Sequence, residues 1–311
     1  MIRTTIIGGG AMGLLLCSRL VLSGRKTELI VRTKRQKDEL LQSGLTLIDG
    51  EERHRIEAGG SDLLRVLTAA EAEQAVSGAG RSPGESRPFS HYLVLAVKQT
   101  AITPELVGLI ERISGPDTWI VCLQNGIGHV EKLTQRVALN RIWLSVTTEG
   151  ALKHAAGEVA HTGRGMTWLG SPGGESDPDT LAEQKKWLNC LELAGFRTSL
   201  SKNITSRVWQ KLLTNAVINP LTAILRVTNG ELPSRQDAYI LMRTLFEESE
   251  ALAVKLGIEL ATDLWEQILT VCRSTSGNRS SMLQDVLAGR RSEIEAISGE
   301  LLRLAGKSGT P

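Results

Sequence analysis

The sequence predicts an α/β protein in two parts: a doubly wound parallel sheet first, then an all-helical domain. Three observations carry that prediction. A short apolar run, Arg3–Ile7, leads into Gly8-Gly9-Gly10-Ala11-Met12-Gly13 and then into a helical pattern, which is how a βαβ unit begins. Strand-like runs then alternate with helical stretches to about residue 200. Beyond that point the apolar spacing is almost wholly helical, so the boundary is set near Asn203, with residues 1–203 and 204–311 as the two domains.

Each element has its own signal. A buried strand at Arg3–Ile7 is followed by a helix from Met12 to Ser23, stopped by Gly24. Thr27–Val31 is the second strand, and right-handed crossover makes it parallel to the first. A helix over Lys34–Ser43 and a weaker β region over Leu45–Ile56 come next. Ser77–Pro88, rich in Gly, Ser and Pro and without periodicity, reads as a flexible surface loop. Tyr92–Val97, Trp119–Leu123 and Ile142–Thr147 are short apolar strands, the first two separated by a helix. Glu158–Ala160 and Met166–Gly170 read as a hairpin, Leu181–Ala194 as a helix and Thr198–Leu200 as a last strand. Helices are predicted over Ser206–Ile218, Gln236–Leu256, Thr262–Ser274 and Ser281–Ala305.

Composition narrows the function. A net charge of +2 over 311 residues gives no drive toward nucleic acid or an anionic membrane. Cys17, Cys122, Cys190 and Cys272 have no CxxC spacing, which implies reduced, buried thiols in a cytoplasmic protein. The apolar stretch Ala11–Leu22 is interrupted by Arg19 and is too short to span a bilayer, and no signal peptide precedes the first strand. His54, His91, His129, His154 and His161 have no metal-ligand spacing, so no metal is expected.

The glycine run has the spacing Gly8-x-Gly10-x-x-Gly13 of a Rossmann-type dinucleotide site. The first glycine permits the tight turn, the second lets a pyrophosphate approach the backbone, and the third lets helix and strand pack closely. Free N–H groups of Ala11, Met12 and Gly13 would hold the phosphates. NAD-specific sites end the second strand with a carboxylate; here that point reads Val31-Arg32-Thr33-Lys34-Arg35. Arg32 can pair with a 2′-phosphate, which favours NADP, although a solvated basic turn would have the same composition. Lys98 and Asn125 close later strands and should border the cofactor, Asn125 serving equally well as a turn residue before Gly126.

The second functional signal lies in WQKLLTNAVINPLTA. Lys211, Asn215 and Asn219 are spaced four apart and so share one helix face, surrounded by apolar neighbours. One lysine followed by two amides is a surface suited to a polar ligand rather than a solvated face.

At these residues the chain resembles the ketopantoate reductase (2-dehydropantoate 2-reductase) family. The resemblance runs from IIGGGAMG through AVKQ and LQNGIG to WQKLLTNAVINPLTAI, TNGEL and NRSSMLQDVLAGRRSEIEAISG, nearly the whole chain. It implies cytoplasmic, NADPH-dependent reduction of 2-dehydropantoate to (R)-pantoate on the way to coenzyme A, with Lys211 as the catalytic lysine. It further implies that Glu293 is a second catalytic residue and that Asn125, Asn215, Asn219, Asn229, Asn278 and Ser281 bind substrate. Arg32 matches the ligand of the 2′-phosphate, and Lys98 and Asn125 match residues near the nicotinamide. The region 76–90 is longer than the family pattern, and that pattern normally leads from a sequence like Gly309-Thr310-Pro311 into one more helix.

The chemistry suits these residue types. Hydride addition to a 2-keto acid builds negative charge on the carbonyl oxygen, and a lysine ammonium can stabilise and then protonate it. Taken alone, Glu293 reads as an exposed residue paired with Arg290 or Arg291 on the last helix. Ser281, with Gln284 three residues on, has a capping-box pattern that explains it structurally. A reductase of another 2-keto acid and a catalytically silent NADPH sensor remain as alternatives, and apolar helix faces leave room for a homodimer.

Overall fold

The computed structural model describes residues 2–59, 62–78 and 90–310. The predicted loop and the long 76–90 region therefore lie mostly outside the described residues. The chain divides into two compact units: residues up to Gln124 together with His129–Ile204, and Asn125–Gly128 together with the chain from Thr205. The observed class is the predicted one, an N-terminal α/β unit followed by a helical one.

Twelve strands are present among the described residues: β1 (Ile2–Ile7), β2 (Thr27–Ile30), β3 (Leu45–Asp49), β4 (Glu52–Ile56), β5 (Leu64–Leu67), β6 (Ser90–Leu95), β7 (Thr118–Cys122), β8 (Ile142–Thr147), β9 (Gly150–Ala155), β10 (Glu158–Gly163), β11 (Thr167–Gly170) and β12 (Thr198–Leu200). Eight of them form the main sheet in the order β12-β11-β8-β7-β6-β1-β2-β5. From β5 to β8 every pair is parallel, and the order reverses about β1, which creates the switch point where such sheets bind ligands. β11 joins antiparallel to β8, and β12 forms the edge, parallel to β11.

The expected late hairpin is not formed. β10 pairs with β9 and with β3, whereas β11 pairs with β8 and β12. β9, β10, β3 and β4 make a second, four-stranded sheet. The partner overlooked in the sequence is β9, whose GALKHA carries no alternating apolar signal because none of its residues is buried.

The first helix, α1 (Ala11–Leu22), packs between these layers, and Leu14, Leu15, Cys17 and Leu20 on it are fully buried. The core is continued by an aromatic group in which Trp119 stacks on Trp143 at 4.7 Å and Tyr92 meets Trp187 at 4.9 Å. α2 (Lys34–Ser43) starts on the Thr33 side chain, which accepts from the Gln36 N–H. All four cysteines are buried; burial pushes the Cys17 thiol up to about 12 and Cys272 to about 11, and raises Cys122 and Cys190 as well.

The helical unit is built on the long helix Ile204–Leu225, which extends past the predicted end at Ile218 and contains Pro220. Its apolar face, with Leu212, Leu213, Ala216 and Val217, joins Met242, Phe246, Ile268 and Cys272 in one core. The single helix expected over Ser281–Ala305 is instead broken. A short helix, Ser281–Leu287, ends at Gly289, whose φ of +62° is left-handed; a π-helical turn, Glu295–Gly299, then leads into Glu300–Ser308. No helix among the described residues is long and apolar enough to cross a membrane.

Candidate functional site

The glycine turn of the α/β unit is shaped by what its residues lack. Gly8 has φ +124°, and a Cβ there would lie 2.6 Å from the Ala96 carbonyl oxygen; at Gly13 it would lie 1.9 Å from the Gly8 oxygen. Around Gly10 the nearest such atom is 3.9 Å away, so that side is open. Helix α1 begins without a side-chain cap and without an acidic residue in its first turn. Its first hydrogen bond runs from the Leu14 N–H to the Gly10 carbonyl, leaving the N–H groups of Ala11, Met12 and Gly13 before the helical ladder starts. This is a cradle fitted to an anion such as a pyrophosphate.

Around that turn, Gln36 donates to the Gly9 carbonyl at 2.8 Å and thereby ties the Arg32–Thr33 turn to the glycine loop. Arg32 itself is exposed, two residues beyond the end of β2. Glu28 is occupied within the strand by Arg3, Thr5 and Arg65, so it is not a free carboxylate for a ribose. Lys98 is exposed in the turn after β6. Gln124 clamps the same strand ends, donating to the Leu95 and Val97 carbonyls at 2.7 and 3.0 Å. Lys153, on β9, gave no signal in the sequence; its Nζ donates to the Gly9 carbonyl at 2.7 Å. A cavity of about 900 Å³ in this unit, lined by Lys37, Leu41, Arg65 and Glu71, includes none of the predicted site residues.

In the helical unit, Lys211 and Asn215 are half-buried and Asn219 is buried on the long helix. Burial pulls the Lys211 ammonium down from its usual value to about 8, against an opposing pull from the Glu293 carboxylate. Glu293 is 7% exposed and sits just before the last helical segment, not on a continuous helix. Arg290 pairs with Asp285 at 3.1 Å rather than with Glu293. The Asn125 amide reaches Glu293 at 3.4 Å, and the Ile127 N–H bonds the Ala296 carbonyl at 3.3 Å. The Asn-Gly-Ile-Gly turn is thus fastened beside the π-helical turn, and Lys211, Glu293 and Asn125 form one electrostatic group.

Ser280, not Ser281, caps the short helix, accepting from the Leu283 N–H at 3.1 Å. Ser281 is the first helical residue and is exposed, as is Asn278. Ser280 also meets Thr222 at 2.6 Å, and Thr222 in turn bonds the Asn219 carbonyl at 2.9 Å. Asn229 is buried; its side chain donates to Thr275 and its N–H to the Asn278 carbonyl at 3.0 Å, so it holds the loop that bears Asn278. Thr222 and Ser280 escaped the sequence reading because their role depends on a contact across 58 residues.

Comparison with known proteins follows the same division. Residues 4–174 match the model of the family described as ketopantoate reductase PanE/ApbA, and residues 203–311 match its C-terminal counterpart. A 2-dehydropantoate 2-reductase of Archaeoglobus fulgidus is 30% identical, over 97% of this chain and 90% of its own. One from Listeria innocua is 31% identical over 99% and 92%. Among solved structures, a probable 2-dehydropantoate 2-reductase from Bacillus subtilis is 29% identical with a TM-score of 0.74, covering 99% of this chain and 94% of that one. A D-mandelate dehydrogenase solved with NADH and anilino(oxo)acetate is 25% identical with a TM-score of 0.83, over 99% and 94%.

Proposed function

The chain belongs to the ketopantoate reductase PanE/ApbA family, and on that premise we propose that it reduces 2-dehydropantoate to (R)-pantoate with NADPH. The observation that carries the reading is Lys211: a half-buried ammonium drawn down to about 8 and facing a buried carboxylate. Such a lysine is mostly protonated at neutral pH yet surrenders its proton far more readily than an exposed one.

NADPH, held at the glycine turn, would supply the hydride for the 2-keto carbon. Lys211 hydrogen-bonds the carbonyl oxygen, stabilises the charge that develops there and donates the proton that completes the alcohol. Glu293 keeps Lys211 more protonated than burial alone would allow, and Asn125 steadies Glu293. Asn215, Asn219, Asn278 and Ser281 orient the carboxylate and hydroxyl of the substrate, with Asn229 holding the loop. In the α/β unit the glycine turn would hold the pyrophosphate, Lys98 would serve the nicotinamide end, and Arg32 would take the 2′-phosphate, which favours NADPH over NADH. Four buried, unpaired thiols suit a reducing cytoplasm.

A second reading, reduction of a different 2-keto acid, is favoured by the D-mandelate dehydrogenase likeness, since that protein was solved with an oxo-acid analogue. The test is nucleotide oxidation by the purified protein with 2-dehydropantoate beside a panel of 2-keto acids, using NADPH and NADH. Selective turnover of 2-dehydropantoate with NADPH is expected. Faster turnover of another keto acid replaces the substrate, and NADPH binding without turnover on any of them replaces the enzyme with a sensor.

A further inference from the structure

We propose that Lys153 is a second phosphate-binding cation of the dinucleotide site, delivered to the glycine turn by the smaller sheet; the inference rests on the dinucleotide reading above. Lys153 lies on β9, and its Nζ is 2.7 Å from the carbonyl oxygen of Gly9, the residue before the open Gly10. That carbonyl already accepts the Gln36 amide at 2.8 Å, so the loop does not need a lysine to satisfy it. An ammonium has three N–H donors, and Gly9 takes one.

Among the described residues no carboxylate forms an ion pair with Lys153. Glu39 is the acidic group that acts on it, and Glu39 is itself paired with Arg35 at 3.4 Å. The lysine is half-buried, and this desolvation depresses its pKa. Partial removal of a cation from water for a single carbonyl is unfavourable. A phosphate at the adjoining backbone N–H groups would answer the charge and use the remaining donors. Gln36 also reaches the Ala156 carbonyl at 3.3 Å, so the β9–β10 turn is fixed to the loop and the ammonium is held in place.

The dinucleotide offers two phosphate sources, the pyrophosphate and the 2′-phosphate, and the test separates them. Dissociation constants for NADPH and NADH are measured by nucleotide fluorescence on the full chain, without keto acid, across a range of salt concentrations. Wild type is compared with Lys153→Met and Lys153→Arg, and thermal melts confirm that each variant folds. We expect Lys153→Met to weaken NADPH by about 10–100-fold, the size of a charge-assisted hydrogen bond, and to flatten its salt dependence. Lys153→Arg should restore most of both. A loss confined to NADPH assigns Lys153 to the 2′-phosphate; equal loss for both nucleotides with flattened salt dependence assigns it to the pyrophosphate. Unchanged affinity in Lys153→Met overturns the proposal, as does a loss that keeps the full salt dependence, which would mark a purely structural tether. Wild-type protein that binds neither nucleotide would instead overturn the dinucleotide reading itself.

Discussion

The glycine turn and the polar face of the long helix are built by opposite means. At the turn, side chains are missing so that backbone can come close: Gly13 leaves no room for even one methyl group. On the helix, side chains are present where burial is costly, and at Lys211 that cost pulls the ammonium's pKa down. The first device is steric and local, six residues long. The second is electrostatic and assembled from Lys211, Glu293 and Asn125, which lie far apart in the chain. A steric device fails on small changes of volume; an electrostatic one fails on changes of charge.

Substitutions at the two regions should fail in different ways. The largest effect is expected from Lys211→Ala: kcat should fall about 10²–10⁴-fold, the range of a lost general acid, with NADPH affinity retained. Steady-state kinetics beside nucleotide titration checks both halves, and unchanged turnover would remove Lys211 from the mechanism. Next comes Gly13→Ala, which adds a single carbon 1.9 Å from the Gly8 carbonyl oxygen. It should abolish measurable nucleotide binding and cost about 1–3 kcal/mol of stability, read by denaturant melts. Retained binding would show that the turn can relax and that its steric character is overstated.

Arg32→Asp should weaken NADPH by about 10–100-fold while leaving NADH nearly unchanged. Equal weakening of both would show that Arg32 does not read the 2′-phosphate. The smallest effect concerns pH. The proposed general acid works in its protonated form, so kcat/KM should fall as pH rises through about 8, where burial places Lys211. Glu293 raises the lysine's pKa, so Glu293→Gln should move this alkaline limb to lower pH. A limb that stays in place or moves upward would mean that the two charges are not coupled during turnover.

The same contrast explains what the sequence could disclose. The glycine turn was readable because its rule is local, and β1, β2, β6, β7 and β8 were readable because burial leaves apolar runs. β9 was not, since a strand with no buried side chain writes no pattern, and missing it turned β10 and β11 into a false hairpin. The break after Leu287 was visible only as Gly289 in a run that otherwise looked helical. In the candidate site, Lys211, Asn215 and Asn219 lie on one helix, as their spacing predicts. Glu293 by spacing alone looked exposed, and its burial comes from packing around the π-helical turn. Ser280 and Ser281 are adjacent and identical, so only geometry distinguishes the cap from its neighbour.

The buried cysteines have a practical consequence. Cys17, Cys122 and Cys190 belong to the α/β unit and Cys272 to the helical unit, and none is more than 1% exposed. With thiolate formation suppressed in the folded state, an alkylating reagent must wait for each region to open. The native chain therefore carries its own set of clocks, three in one unit and one in the other. Their labelling rates, resolved peptide by peptide, would give separate opening free energies for the two units without a single mutation, and would show which unit a nucleotide holds shut.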